Sequence, residues 1–532
     1  MTGSSRSDAF VARAIVVLSV VLFAWTHRHA LTLPGFAEDM GLVQQLAASA
    51  DAGKLFDVVW QRTIGPLWGP GSTMWRPLGF ASLAVDALIY GDHAGPWHLT
   101  NLLLHGLAAA ITGLLTHRLL QSSMAGAVAF ATLLLHPWTA EITLWLVGRF
   151  DGWATAGMAV AMWAAVKSRG YDRWLLVSAL AGALAYASKE SALLLPFGVA
   201  MLALLDASGS GASGWPTASR FFRRLLESKS LVMVHVLLAL AYLGWRWFLF
   251  RNVGINVYSS APINSVLEIV ARLGKHFEVF WSLAALAPVT SKVAALVAIM
   301  LSLIAFVRGN KSVCAMGALW ALAVFVGAAL HFKTTPGVGD GARLYYLAAL
   351  GFALFFASAF SETTGRVGYV LAITWICTLA IWQNEVNREW WHAARELKRI
   401  TVAISKEIKL INPQDYGLVM LPDPIGHVPM VRNAQGAIMT ESQKLNPAID
   451  ALSVMVALLP TQIDEWHGSM QRDTVRLITA RSDAPPRPTR YYCKEPGTDH
   501  LSYLGFWLPG ALVDWRAQWR KAVAAHCPSL KL

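Results

Sequence analysis

The feature that most limits what this chain can become is a succession of long apolar runs joined by short polar connections. They lie at Phe10–Trp25, Leu99–Leu115, Met124–Leu135, Trp153–Val166, Trp174–Ala187, Ser191–Leu205, Leu231–Phe250, Val293–Val307, Cys314–Leu330, Leu344–Phe360 and Val367–Trp382. Crossing the hydrocarbon core of a bilayer takes about 20 apolar residues in a helix, because only a helix or a closed barrel satisfies its own backbone there. The chain therefore reads as an all-α polytopic membrane protein with about eleven transmembrane helices, several runs extending into flanks that contain Trp or Pro. Composition agrees. Only 14% of the residues are charged, against about 25% in a soluble domain.

The formal net charge of +12 does not point to nucleic acid, because no basic cluster is interleaved with aromatics as a strand-binding groove requires. Topology explains the excess. Cytoplasmic loops are enriched in Lys and Arg, and with the N-terminus inside, the even-numbered connections hold Arg118; Lys167, Arg169 and Arg173; Arg220, Arg223, Arg224 and Lys229; Arg308 and Lys311; and Arg366. Arg6 and Arg13 accompany the first run, but no small-residue cleavage site follows Trp25-Thr26-His27-Arg28, so it reads as an uncleaved helix. The opposite face receives a first loop of about residues 26–98, the His136–Asp151 segment, the Lys189-Glu190 turn, the 251–292 and 331–343 loops and the C-terminal region. These outer segments carry mixed charges, His, Trp, Gly and Pro, as a reaction face needs. The expected setting is a bacterial inner membrane with a periplasmic C-terminus.

From about Asn387 the hydrophobicity falls, and alternating stretches such as Tyr416–Leu421 between turn residues predict a small mixed α/β domain over 387–532 behind a membrane domain of 1–386. Cys314 and Cys377 lie inside apolar runs, where a cysteine acts as a small hydrophobe. Cys493 and Cys527 share the polar C-terminal region and can pair in an oxidising periplasm.

Five groups of ionisable residues fall on the outer face. Glu38-Asp39 opens the first outer loop, ahead of a short helix predicted at Met40–Ala50. One carboxylate of such a pair can serve as general base while its neighbour orients the acceptor or raises its pKa; a helix N-terminus that favours carboxylates is the plainer reading. His98, Asn101 and His105 stand at i, i+3 and i+7, so one helix face is polar, for interhelical hydrogen bonds or for a substrate. Glu141, Arg149 and Asp151 share a third segment, and Lys189-Glu190 sits between two spans with hardly a loop to hold it. Charges there are costly unless paired, so salt bridges from Lys189 or Arg149 to Glu141, Asp151 or Glu190 are the structural alternative to catalysis. Arg343, preceded by Gly339-Asp340-Gly341 and followed by Leu344-Tyr345-Tyr346, heads another span and offers a phosphate the bidentate fork that Lys lacks; the two tyrosines are expected at the membrane interface. Arg76 is a further outer cation.

Taken in order, the acidic pair after the first helix, Arg76-Pro77-Leu78, His98-Leu99-Thr100-Asn101-Leu102-Leu103-Leu104-His105, His136-Pro137 with Glu141, Gly148-Arg149 with Asp151, Ser188-Lys189-Glu190 and Arg343-Leu344-Tyr345-Tyr346 resemble the GT-C superfamily of membrane glycosyltransferases, most closely its TMTC and protein O-mannosyltransferase-like branch. The resemblance spans roughly residues 30–350. Where the family often has Asp-Asp or Asp-Glu this chain has Glu38-Asp39, which leaves the base open between the two. No helical repeat array follows the membrane domain, and the C-terminal domain resembles those of bacterial members.

The resemblance implies transfer of a single sugar from a polyprenyl-phosphate donor to an acceptor hydroxyl on the periplasmic face, with inversion. Asp39 or Glu38 would be the base, Arg343, Lys189 and Arg149 would bind the donor phosphate, and Arg76, His98, Asn101, His105, Glu141, Asp151, Glu190 and Tyr345 would line the sugar and acceptor pocket. The acceptor is a cell-envelope glycan such as O-antigen, or a protein Ser/Thr. No cofactor is called for with certainty, and participation of a divalent metal stays open. The rival readings are a lipid-linked-sugar flippase, which should carry midplane charges and repeat symmetry, and an O-antigen ligase or polymerase.

Overall fold

A computed structural model of the chain describes residues 2–68, 72–168, 171–202, 218–252, 265–331, 342–361, 365–407, 416–421, 428, 430, 435–447, 454–458, 489–507 and 515–528. It divides into two compact units, one made of Met1–Thr32 and Leu46–Arg388 and the other of Leu33–Gln45 and Glu389–Leu532.

The helices are α1 (Thr2–Thr26), α2 (Glu38–Asp51), α3 (Leu55–Ile64), α4 (Pro77–Tyr90), α5 (Ala94–Leu120), α6 (Ser123–Leu134), α7 (Ala140–Leu144), α8 (Arg149–Lys167), α9 (Arg173–Tyr186), α10 (Leu195–Met201), α11 (Ala218–Glu227), α12 (Lys229–Phe250), α13 (Val266–Leu286), α14 (Pro288–Val307), α15 (Lys311–His331), α16 (Tyr346–Ala357) and α17 (Arg366–Glu407). Among the described residues seven helices are long and apolar enough to cross a membrane, and α6 with the segment through α7, bent by 48°, is a broken span or a re-entrant loop by length and composition. The described residues of all eleven apolar runs fall mainly on helices; the runs of α6, α8, α9 and α10 fall outside the seven, α6 passing only together with the segment through α7. Leu, Val and Phe side chains such as Leu296, Leu303 and Phe306 are exposed along these helices, which fits a surface solvated by lipid. The chain is a multi-pass membrane protein.

The bend between α6 and α7 has a local cause. Pro137 has no N–H to continue the helix, and the His136 ring accepts the Trp138 N–H at 3.3 Å instead. Two glycine pairs bring helix backbones into close contact. A Cβ on Gly113 of α5 would stand 2.9 Å from the Gly126 carbonyl of α6, and one on Gly317 of α15 would stand 2.6 Å from the Gly351 carbonyl of α16. Small residues let membrane helices approach this closely.

One expectation changes. The outer loop read at 251–292 contains the 21-residue helix α13. Glu268, Arg272 and Lys275 break its apolar run, so a search for continuous hydrophobicity passes over it although its pattern is helical.

The second unit holds a four-stranded sheet of β1 (Tyr416–Leu421), β2 (Val454–Leu458), β3 (Thr489–Lys494) and β4 (Leu501–Trp507), in the order β2-β1-β3-β4. β1 runs parallel to β2 and β3, and β3 is antiparallel to β4. Helices α18 (Gln435–Leu445) and α19 (Trp515–His526) complete it. Cys493 and Cys527 form a disulfide across 34 residues. Beside it Lys494 meets Glu396 of α17 at 3.0 Å, both buried, and the Gly497 N–H donates to the second Glu396 oxygen at 3.2 Å. The boundary read at residue 387 falls inside the 42-residue helix α17.

Candidate active site

Arg149, at the first position of α8, is fully buried, and its guanidinium is occupied on every side. Nη2 lies 2.6 Å from Asp86 of α4 and donates to the Trp97 carbonyl at 2.9 Å; Nε donates to Asn101 at 2.8 Å and Nη1 to the Ser82 carbonyl at 3.2 Å. The residue that the sequence offered to a donor phosphate therefore clamps α4 and α5 to α8. Asp86 went unnoticed in the sequence because it is a single acid within an apolar helix; the signal was its isolation, since an unpaired carboxylate there is expensive.

The polar face of α5 is present and buried. Asn101 donates to the carbonyls of Ile142 and Trp145, each at 2.9 Å, which satisfies the chain where α7 ends. His98 Nδ1 lies 3.4 Å from the Thr143 carbonyl. His105 bonds the Tyr346 hydroxyl at 2.7 Å and the Leu134 carbonyl at 3.1 Å. Of the two readings offered for this face, these contacts are interhelical hydrogen bonds.

A second set of charges is less enclosed. Arg76, at the head of α4, forks onto Glu190, with Nε 3.2 Å from one oxygen and Nη2 on the other. Lys189, in the turn after α9, pairs with Asp151 of α8. Burial holds the Lys189 ammonium below the ordinary lysine range; Asp151 opposes that shift, while Arg76 and Arg343 push the same way as burial. Arg76 and Arg343 thus lie within electrostatic reach of Lys189. Arg343 is half-buried, its guanidinium carbon 4.2 Å from the centre of the Trp145 ring, and its backbone N–H donates to Glu141 at 3.1 Å. A guanidinium set over an indole and anchored at its backbone is oriented before any ligand arrives. With a lysine and a second arginine near it, this end of the bundle can bind a phosphate group through charge-assisted hydrogen bonds.

Tyr345 and Tyr346 are both fully buried rather than at the interface. Tyr345 bonds His276 of α13, and Tyr346 bonds His105 of α5, so the two hydroxyls tie the turn before α16 and the start of α16 to neighbouring helices. His276 was hidden in what read as a loop. Gly339, Asp340 and Gly341 lie outside the described residues.

Glu38 and Asp39 belong to the second unit. They form the first turn of α2, where a helix favours carboxylates. Ala37, just before them, is in the left-handed region at φ 49°, an uncommon place for a residue with a Cβ, and its N–H is held by the Met430 carbonyl at 3.0 Å. Asp39 is fully buried and Glu38 half-buried. Among the described residues, no three His, Cys, Asp or Glu side chains are grouped so as to hold a metal ion.

No family model and no curated protein matches the chain. Among solved structures the chain is similar to ArnT from Cupriavidus metallidurans bound to undecaprenyl phosphate, at 12% identity and a TM-score of 0.46, over 90% of this chain and 92% of that one. ArnT from the same organism in the apo state is similar at 11% identity and a TM-score of 0.44, with the same coverage.

Proposed function

We propose that this chain is a GT-C-type glycosyltransferase that moves a single sugar from a polyprenyl-phosphate donor to an acceptor hydroxyl at the periplasmic face of a bacterial inner membrane. The observation that carries the reading is Arg343 set over the Trp145 ring, its backbone held by Glu141, with Lys189 within its electrostatic reach. The ordered motif series from Glu38-Asp39 to Arg343 supports it.

In this reading Arg343 and Lys189 receive the donor phosphate. The acceptor oxygen attacks the anomeric carbon from the face opposite that phosphate, so the new C–O bond forms as the bond to the phosphate oxygen breaks. The electron pair departs with the phosphate, where the two cations stabilise the growing charge. The acceptor proton passes to Asp39, whose role rests on its place in the motif order, with Glu38 as the alternative base. Arg76, Glu141, Asp151 and Glu190 orient the sugar, and Arg149, His98, Asn101 and His105 hold the helices that carry these groups. The branch and the acceptor, whether glycan or protein Ser/Thr, are tested by mass spectrometry of envelope glycans and surface proteins from cells with and without the gene. Loss of one sugar from a defined glycan or protein supports transfer. An unchanged profile, with the gene expressed in the control, contradicts it.

A further inference from the structure

A cleft of about 520 Å³ opens at the other end of the membrane unit, lined by Leu303, Ile304, Val307 and Arg308 from the end of α14 and by Gly365, Arg366, Val367 and Gly368 from the start of α17. Its position follows from α16. Arg343 lies in the 3-10 turn just before that helix, which rises about 18 Å over its 12 residues. At its far end the α14–α15 turn packs on it: the Asn310 N–H donates to Ser361 at 3.2 Å, and a Cβ on Gly309 would stand 2.7 Å from the Ser358 carbonyl. The cleft is therefore remote from the Lys189–Arg343 cluster.

Its chemistry is divided in two. Leu303, Val307 and Val367 are exposed on a surface meant for lipid. At the rim Arg308 and Arg366 are exposed, and neither makes an ion pair among the described residues. Lys311 nearby is spent differently, its ammonium donating to the Phe306 carbonyl. An apolar floor beneath two guanidinium groups complements an amphiphile with acyl chains and an anionic phosphodiester.

We propose that this cleft is a binding site for an anionic glycerophospholipid, with Arg308 and Arg366 on the headgroup phosphate and the acyl chains along Leu303, Val307 and Val367. The site is independent of the proposed transferase reaction. An arginine fork grips a phosphodiester at two oxygens, and two of them from different helices tie the end of α14 to the start of α17 through the lipid.

The test is native mass spectrometry of the full-length protein, delipidated in detergent and titrated with phosphatidylglycerol, phosphatidylcholine or glycerol 1-phosphate. The wild type is expected to retain phosphatidylglycerol preferentially and to ignore the soluble phosphate. The R308A/R366A double variant is expected to bind phosphatidylglycerol about tenfold more weakly or worse. An R118A/R173A variant, which removes basic residues outside the cleft, should bind like the wild type, and R308K/R366K should fall between. Monodisperse elution of each variant separates lost binding from lost folding; if R308A/R366A fails it, the lysine pair and the R118A/R173A control decide. Equal uptake of phosphatidylcholine, equal retention by R308A/R366A, an R308K/R366K pair that binds like the wild type or a loss equally large in R118A/R173A would overturn the proposal. So would selective binding of a polyprenyl phosphate in place of the diacyl lipid.

Discussion

The guanidinium of Arg149 and the carboxylate of Asp86 lie 2.6 Å apart with both side chains buried, joining the start of α8 to the middle of α4. Removing one member of a buried pair strands the other charge in a low-dielectric interior, which costs about 3–5 kcal/mol. Arg149→Ala and Asp86→Ala should therefore each lower the melting temperature in detergent sharply and reduce recovery from the membrane. Arg149→Lys keeps the charge but cannot serve Asp86, Asn101 and two carbonyls together, so it should be destabilised too. Melts within a degree of wild type for Arg149→Ala would return Arg149 to the list of ligand-binding cations.

Arg343 should behave differently, because its guanidinium rests on Trp145 at a half-buried position, whereas Arg149 is fully buried. Arg343→Lys should retain some donor binding while losing most of kcat, since the fork matters more as charge develops on the leaving phosphate than in the ground state. Arg343→Ala should lose both, with a melting temperature near that of the wild type. A purified Arg343→Ala protein that turns over a polyprenyl-phosphate sugar at the wild-type rate would leave Arg343 a structural role only.

Asp39→Asn should leave the protein folded and membrane-inserted yet lower turnover by at least about a hundredfold, the usual contribution of a general base. Glu38→Gln should cost less. Activity lost in the Glu38 variant but kept in the Asp39 variant would move the base to Glu38, and normal activity in both would end the carboxylate mechanism.

What the sequence made legible follows from how each feature is encoded. A run of apolar residues is local, so the runs read from the sequence mark helices, seven of them long and apolar enough to cross a membrane, and the alternation at Tyr416–Leu421 announced a strand that is present as β1. Helix α13 was missed because its charged residues leave no run to find. Partnership is not local. The sequence allowed Lys189 or Arg149 to pair with Glu141, Asp151 or Glu190; Lys189 does pair with Asp151, but Arg149 takes Asp86 and Glu190 takes Arg76. Nothing in the spacing of residues 76, 86, 149 and 190 chooses among these pairings, which are set by how α4, α8 and the turn after α9 pack. Tyr345 and Tyr346 were read as interfacial from residue type, whereas His276 and His105 supply the partners that let them be buried.

The disulfide between Cys493 and Cys527 closes 34 residues and links the end of β3 to the residue after α19. On the chain-entropy model such a loop is worth roughly 3–4 kcal/mol. Cys527→Ser should make the C-terminal unit unfold at lower denaturant, read by limited proteolysis between residues 489 and 528, while the membrane helices keep their far-ultraviolet signal. Equal protease resistance with and without reductant would contradict this.

The central claim is that a sugar leaves its lipid phosphate and joins an acceptor. The most direct measurement places purified full-length protein in a bilayer with a polyprenyl-phosphate sugar labelled in the sugar, together with an envelope fraction from cells lacking the gene. The account predicts free polyprenyl phosphate and label in the water-soluble or protein fraction, both falling at least about a hundredfold with Asp39→Asn. Label that crosses the bilayer still attached to its lipid, with no free polyprenyl phosphate formed, would show a lipid transporter instead.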